Sequence, residues 1–170
     1  MVEKQKTRFK LLPYQMLARR WMLPAILLIP AGFALRWCVP RFPQLNPASA
    51  DLGWLISIVG VLLAVYTLLA HQSYVSFHKD HFVIHPPFHP MAVSYNRIKL
   101  VHPIEFNLLF PQQKAKNSQY RLYDKIWGKT VPVVMLDGFP LPRWWVKLWF
   151  HPFLFHPNEN GILLVVDDWM

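Results

Sequence analysis

The stretch SFHKDHFVIHPPFHP, residues 76–90, sets four histidines, His78, His81, His85 and His89, within twelve positions. Imidazole is the commonest protein metal ligand, but a metal centre needs three or four ligands converging on one point. In a strand over 81–85, His81 and His85 share a face yet stand about 13 Å apart at ~3.3 Å per residue. His78 lies across the Lys79-Asp80 turn from His81, and His89 sits in a proline-rich turn that can fold back. His78, His81 and His89 are therefore the candidate ligands of a small surface metal site, with Asp80 the one acid nearby. The competing reading, adopted here, is a set of turn and interfacial histidines with no metal. A bis-histidine haem requires histidines on facing membrane helices. The first apolar segment has none and His71 stands at the boundary of the second, so no cofactor is assigned.

Catalytic chemistry finds no foothold. The chain has no GxSxG, HExxH, P-loop or GxGxxG pattern. Its one cysteine, Cys38, allows neither an intramolecular disulfide nor a CxxC motif. Asp167 and Asp168 are adjacent, which in a strand points them to opposite faces. The expectation is a protein that is not an enzyme.

The elements that carry these residues are set by composition. The 170 residues are 54% hydrophobic and 16% charged, against roughly 25% charged in soluble domains. Eight Trp, twelve Phe and six Tyr suit a protein in contact with a membrane interface. Two apolar segments stand out, at 21–39 and 52–71. The second runs from Leu52 to Ala70 without a charge, about 28 Å of helix against a ~30 Å hydrocarbon core. The first contains Pro24 and Pro30, tolerated in membrane helices, and is bracketed by Trp21 and Trp37 as interfacial anchors. Arg36 near its end can snorkel. The sequence directly after the run, CVPRFPQ, holds no A-x-A cleavage pattern, so an uncleaved span is expected rather than a signal peptide.

The net charge of +9 is concentrated at the N-terminus, in Lys4, Lys6, Arg8, Lys10, Arg19 and Arg20. By the positive-inside rule residues 1–20 are cytoplasmic, 40–51 form an external loop, and 72–170 are cytoplasmic again. This predicts a multi-pass plasma-membrane protein with both termini inside. Lys6, Arg8, Lys10, Arg19 and Arg20 are candidate contacts for anionic lipid, and nucleic acid is not an expected partner. Gly53, Ser57, Gly60 and Ala64 recur at spacings of four, three and four, a small-residue face for close helix packing. That face raises a rival reading, an accessory subunit or homo-oligomer whose hairpin packs on partner helices. A metal- or haem-binding membrane protein is the third reading.

The last hundred residues read as a mainly β domain with one late helix. YVSF and HFVIH alternate as a hairpin, Pro86-Pro87 ends it, residues 92–104 form a strand pair bent near Asn96, and 112–121 are a polar loop. Residues 131–139 and 161–169 are apolar strands. PLPRWWVKLWF, residues 140–150, is an amphipathic helix opened by Pro142. Two readings of it stay open. Leu141, Trp145, Leu148 and Trp149 pack on the sheet, or Trp144, Trp145, Trp149, Phe150, Phe153 and Phe155 lie in the membrane interface with Arg143 and Lys147 at headgroups.

This order of parts, a basic N-terminus, a two-span hairpin, then YVSFHKDHFVIHPPF and the step Val93-Ser94-Tyr95-Asn96-Arg97-Ile98, resembles the bacterial membrane-anchored pleckstrin-homology-like (PH-like) proteins over roughly residues 8–110. The resemblance implies a seven-stranded barrel or sandwich closed by a C-terminal helix. It also implies scaffolding or membrane-surface interaction, with no catalytic residues. Two departures stand: PPFHP replaces the Gly-rich turn, and the sequence stops right after a strong strand, so that either the terminal helix is absent, or Arg143–Phe150 substitutes for it, or the chain is a fragment.

Overall fold

The computed structural model describes residues 8–41, 49–111 and 123–167. They divide into two compact units. Leu17–His71 forms one, and the residues up to Met16 join those from Gln72 onward in the other.

The helical unit holds most of α1 (Leu12–Cys38) and α2 (Ser49–His71). Both are long and apolar enough to cross a membrane. α2 has no proline, and its one carboxylate, Asp51, lies in the first turn, where the helix dipole favours negative charge. α1 runs through Pro24 and Pro30 and begins nine residues before Trp21. Pro13 fits its first turn, where no backbone N–H is needed for the ladder. Of the small residues predicted for close packing, Gly53, Ser57 and Gly60 face α1. A Cβ on Gly60 would stand 2.9 Å from Leu28 Cβ and 3.0 Å from Ile29 N, and one on Gly53 2.7 Å from Gly32 O. Ser57 Oγ donates to the Ile29 carbonyl at 3.2 Å. Arg36 lies over the Trp54 ring at 4.9 Å and Arg41 over Trp37 at 4.7 Å.

The β unit contains two antiparallel sheets. The first has the order β1 (Arg8–Lys10), β2 (Tyr74–Phe77), β3 (His81–His85), β4 (Met91–Ser94). The second has the order β5 (Ile98–Glu105), β6 (Thr130–Leu136), β7 (Gly161–Leu163). Between β4 and β5 a single 3-10 turn, Tyr95–Arg97, moves the chain from one sheet to the next, with Ser94 Oγ accepting from Asn96 N at 3.4 Å. The predicted bend near Asn96 is thus the point where the sheets part.

Three expectations need correction. The described strands form two open sheets of four and three, not a closed barrel. Residues 8–10, expected as part of a basic tail, are an edge strand paired with β2 in the register Arg8 to Ser76 and Lys10 to Tyr74. The last strand stops at Leu163, and beyond it the described residues keep a Leu164 N–H bond to the Pro132 carbonyl, a Leu12 N–H bond to the Val165 carbonyl and the Leu11 to Val166 bridge. The polar loop 112–121 lies outside the described residues.

The larger core lies on the second sheet. Phe106 is fully buried and stacks on Phe110 and Trp127 at 4.9 and 5.1 Å between ring centroids. Ile126, Val131, Val133, Phe153, Leu163 and Val165 surround it, together with Leu12 from the first turn of α1. Two single-turn helices, α3 (Phe106–Leu109) and α4 (Asp124–Trp127), supply the aromatic wall. The first sheet buries Val75, Phe82, Ile84, Met91 and Val93, the alternate positions of β2, β3 and β4.

Candidate functional site

Two surfaces of the β unit carry the residues singled out in the sequence. The first is built on α5 (Arg143–Trp149), which Pro142 opens with φ −55°. Val146 is 2% exposed and Phe150, just beyond the helix, 4%. Four residues apart, these two form the inward stripe. Trp145 and Trp149 are half-buried at its flanks. Trp144 and Leu148, also four apart, are 66% and 65% exposed, with Lys147 exposed beside them. The expected packing face of Leu141, Trp145, Leu148 and Trp149 is therefore rotated: Leu148 points out and Val146 points in.

The PPFHP turn completes this surface. Phe88, 56% exposed, meets Trp149 edge-on at 5.8 Å, and His89 meets Trp145 edge-on at 6.2 Å. Trp145 in turn contacts both Trp144 and Trp149. The result is an aromatic surface of Phe88, His89, Trp144, Trp145 and Trp149 with Leu148 at its outer edge. Isolated exposed apolar residues are ordinary, so it is the grouping of these rings that sets this surface apart.

The second surface is the outer face of the first sheet. Strand alternation puts Arg8, Tyr74, Ser76, His81 and His85 on one side. The Arg8 guanidinium lies 5.1 Å over the Tyr74 ring, and Tyr74 stacks on His85 at 4.4 Å. Ser76 Oγ stands 3.3 Å from Nε2 of both His78 and His85. One hydroxyl can donate to one imidazole and accept from the other, so the three side chains form a hydrogen-bonded relay. Desolvation, and then the charges of Arg8 and His78, hold the His85 pKa below the usual histidine range.

The candidate ligands His78, His81 and His89 do not converge. The His78 and His81 rings stack at 4.8 Å and 16°. Their lone pairs lie in nearly parallel planes, an arrangement that does not aim both at one ion. His89 Nδ1 donates to the Pro90 carbonyl at 3.0 Å. Among the described residues no three His, Cys, Asp or Glu side chains are grouped as metal ligands. The pairing of His78 with His85 through Ser76 escaped sequence reading, because strand register alone brings them together.

A third cluster is structural. His151 is half-buried at the foot of α5, and its backbone N–H donates to Tyr14 Oη at 2.9 Å. Its Nδ1 accepts from Phe153 N at 3.2 Å. That leaves the ring proton on Nε2, which donates to Tyr123 Oη at 2.6 Å. Burial pushes the His151 pKa down to about 4.

The remaining cations are dispersed. Lys10 is exposed on β1, and Arg19 and Arg20 are exposed on α1. Lys6 and the side chain of Arg143 lie outside the described residues. Trp21 and Trp37 are exposed on α1. No protein-family model, no curated protein and no solved structure matches the chain. What the structure defines is a class: two apolar, span-length helices followed by two antiparallel sheets.

Proposed function

We propose that this protein is a non-enzymatic, membrane-anchored interaction module of the PH-like type. Its hairpin crosses the plasma membrane, and its β unit works at the cytoplasmic face against anionic lipid. The observation that carries this reading is the exposed Trp144, Leu148 and Phe88 surface with Lys147 beside it. Rings at the headgroup level with a cation alongside are the pattern of an interfacial contact. Pairing of β1 with β2 supports the topology, since it requires the chain before α1 and the chain after α2 to be on one side of any bilayer the hairpin crosses. The four-plus-three strand division is in keeping with a PH-like arrangement. Occupation of Gly53, Ser57 and Gly60 by contacts with α1 weighs against that face as a docking site for foreign helices.

The test is a spin label at Leu148→Cys in a Cys38→Ser background, in full-length protein reconstituted into vesicles containing anionic lipid. The label is expected to be more accessible to oxygen than to a water-soluble nickel chelate. The reverse order would remove the interfacial reading. The same aromatic surface also suits a protein partner. A stoichiometric partner retained in mild detergent, and protecting the Leu148 label, would make the chain an accessory subunit instead.

A further inference from the structure

Strand register gathers the cations of the first sheet on its outer face. Arg8 pairs with Ser76 and Lys10 with Tyr74, and Tyr74 pairs with His85, so these side chains share one side. His81, Val83, Ala92 and Ser94 complete that side along β3 and β4. Phe9, Val75 and Phe77 point the other way, into an apolar space that they line with Pro132, Leu164 and Val166. At the centre of the outer face stands Ser76, only 6% exposed. The Nε2 atoms of His78 and His85 each lie 3.3 Å from its Oγ, so two imidazole edges converge on one hydroxyl. Arg8 and His85 both lie against the Tyr74 ring, at 5.1 and 4.4 Å.

Among the described residues no carboxylate shares this face. Its ionisable groups are Arg8 and Lys10 from β1, Tyr74 from β2, His81 and His85 from β3, and His78 through its bond to Ser76, while β4 adds only Ala92 and Ser94. The acid nearest in sequence, Asp80, sits in the hairpin turn next to Lys79. Desolvation first, then Arg8 and His78, hold the His85 pKa down, and the charges that act on it include no carboxylate. Positive potential without a counter-charge favours an anion. The donors select its shape. A guanidinium fork matches two oxygens of a phosphate, and ring N–H and hydroxyl donors fit the oxygens that remain. We propose that the outer face of the first sheet binds a phosphoryl group, with Arg8 holding two oxygens and Ser76, His78 and His85 donating to the others. A lipid phosphomonoester and a soluble phosphate share that chemistry. The lipid source rests on the membrane-anchored reading. The site itself does not.

The test uses full-length protein with ring-labelled histidine in maltoside detergent, near the usual histidine pKa of about 6.5. Inorganic phosphate is titrated against chloride of equal ionic strength. The His78 and His85 ring signals are expected to move saturably with phosphate and not with chloride, while His156, bonded to Glu159 N, stays still. Phosphate should also raise the His85 pKa, because an anion stabilises the protonated ring. Arg8→Gln, read at both rings, and His85→Gln, read at His78, should each weaken binding by roughly ten-fold or more, with amide spectra still folded. Lys147→Gln, on the aromatic surface, should leave binding unchanged. Absence of a saturable phosphate response in the folded wild type overturns the proposal, as does a response that chloride reproduces or that survives both variants. Phosphatidate nanodiscs free of added phosphate separate the sources. The same two ring shifts there assign the site to a lipid headgroup, and silent rings beside an intact inorganic-phosphate response assign it to a soluble phosphate. The Leu148 label keeps the two readings apart. A water-exposed label with the phosphate response intact sinks the interfacial docking and leaves the site standing. An immersed label with rings silent to phosphate does the opposite.

Discussion

At the scale of single residues, His151 has the most measurable consequence. Its ring is neutral in the folded protein because burial holds its pKa at about 4. Once unfolded, the same ring titrates near 6.5. Above that value both states are neutral and the group has no effect. As pH falls from about 6.5 towards 4 the unfolded chain takes up the proton first, so stability decreases, by up to about 3 kcal/mol once both states are protonated. The melting temperature of the full-length protein in detergent should therefore drop between pH 7 and pH 4.5, and His151→Gln should flatten that dependence. An unchanged slope in the variant would show that the acid sensitivity lies elsewhere. Tyr14 acts on the same cluster. Tyr14→Phe removes the acceptor of the His151 backbone N–H and should cost about 1–3 kcal/mol, the range for leaving such a group unsatisfied. A urea melt of the two proteins side by side reads that difference.

At the scale of elements, the hairpin is held by the absence of side chains. Gly60 leaves no room for a Cβ beside Leu28 and Ile29, whereas a Cβ on Gly128 would meet nothing within 4 Å. Gly60→Val should separate α1 from α2 and cost about 1–3 kcal/mol, as overpacking does. Gly128→Ala, in the β unit, should leave stability unchanged. A pair of thermal melts in one detergent tests both. This element was largely legible in sequence. Two charge-poor segments of span length declare themselves by composition, and the recurring small residues of the second declare a packing face. Which helix that face packs on was not legible, because spacing defines a stripe and not its partner. The α5 stripe shows the same limit from the other side. Its amphipathic character is plain in Trp145, Val146, Leu148 and Trp149, yet so many apolar neighbours allow more than one inward face. Contact with the sheet chose Val146 and Phe150.

At the scale of the whole molecule, the hairpin is an insertion. β1 and β2 are sheet neighbours, but α1 and α2 run between them in sequence. Leu11, Leu12 and Tyr14 are buried in the β unit, not in the helical one. A fragment starting at Gln72 lacks β1, exposes the edge of β2 and opens the core at Leu12. It should aggregate or show no near-ultraviolet circular dichroism. Supplying residues 8–16 through a flexible Gly/Ser linker should restore a folded species. A stably folded fragment from Gln72 alone would contradict the insertion.

Composition and periodicity alone establish the two apolar helices, the β character of the chain beyond them, the hairpin at Lys79-Asp80 and the break at Asn96. Each of these is a local property, set by hydropathy over one segment, by period-2 alternation or by a turn. Folding in three dimensions settled the features that depend on long-range pairing. Arg8–Lys10 is too short to announce itself as a strand, and only the exposed edge of β2 makes it one. His78 and His85 meet at Ser76 because register brings them there, and PPFHP joins α5 because both flank the same part of the β unit. Among the described residues the pairing beyond β7 shrinks to the Leu11–Val166 bridge and single backbone bonds at Leu164 and Val165, and the apolar space beside Phe9 is one that no segment of the sequence describes alone.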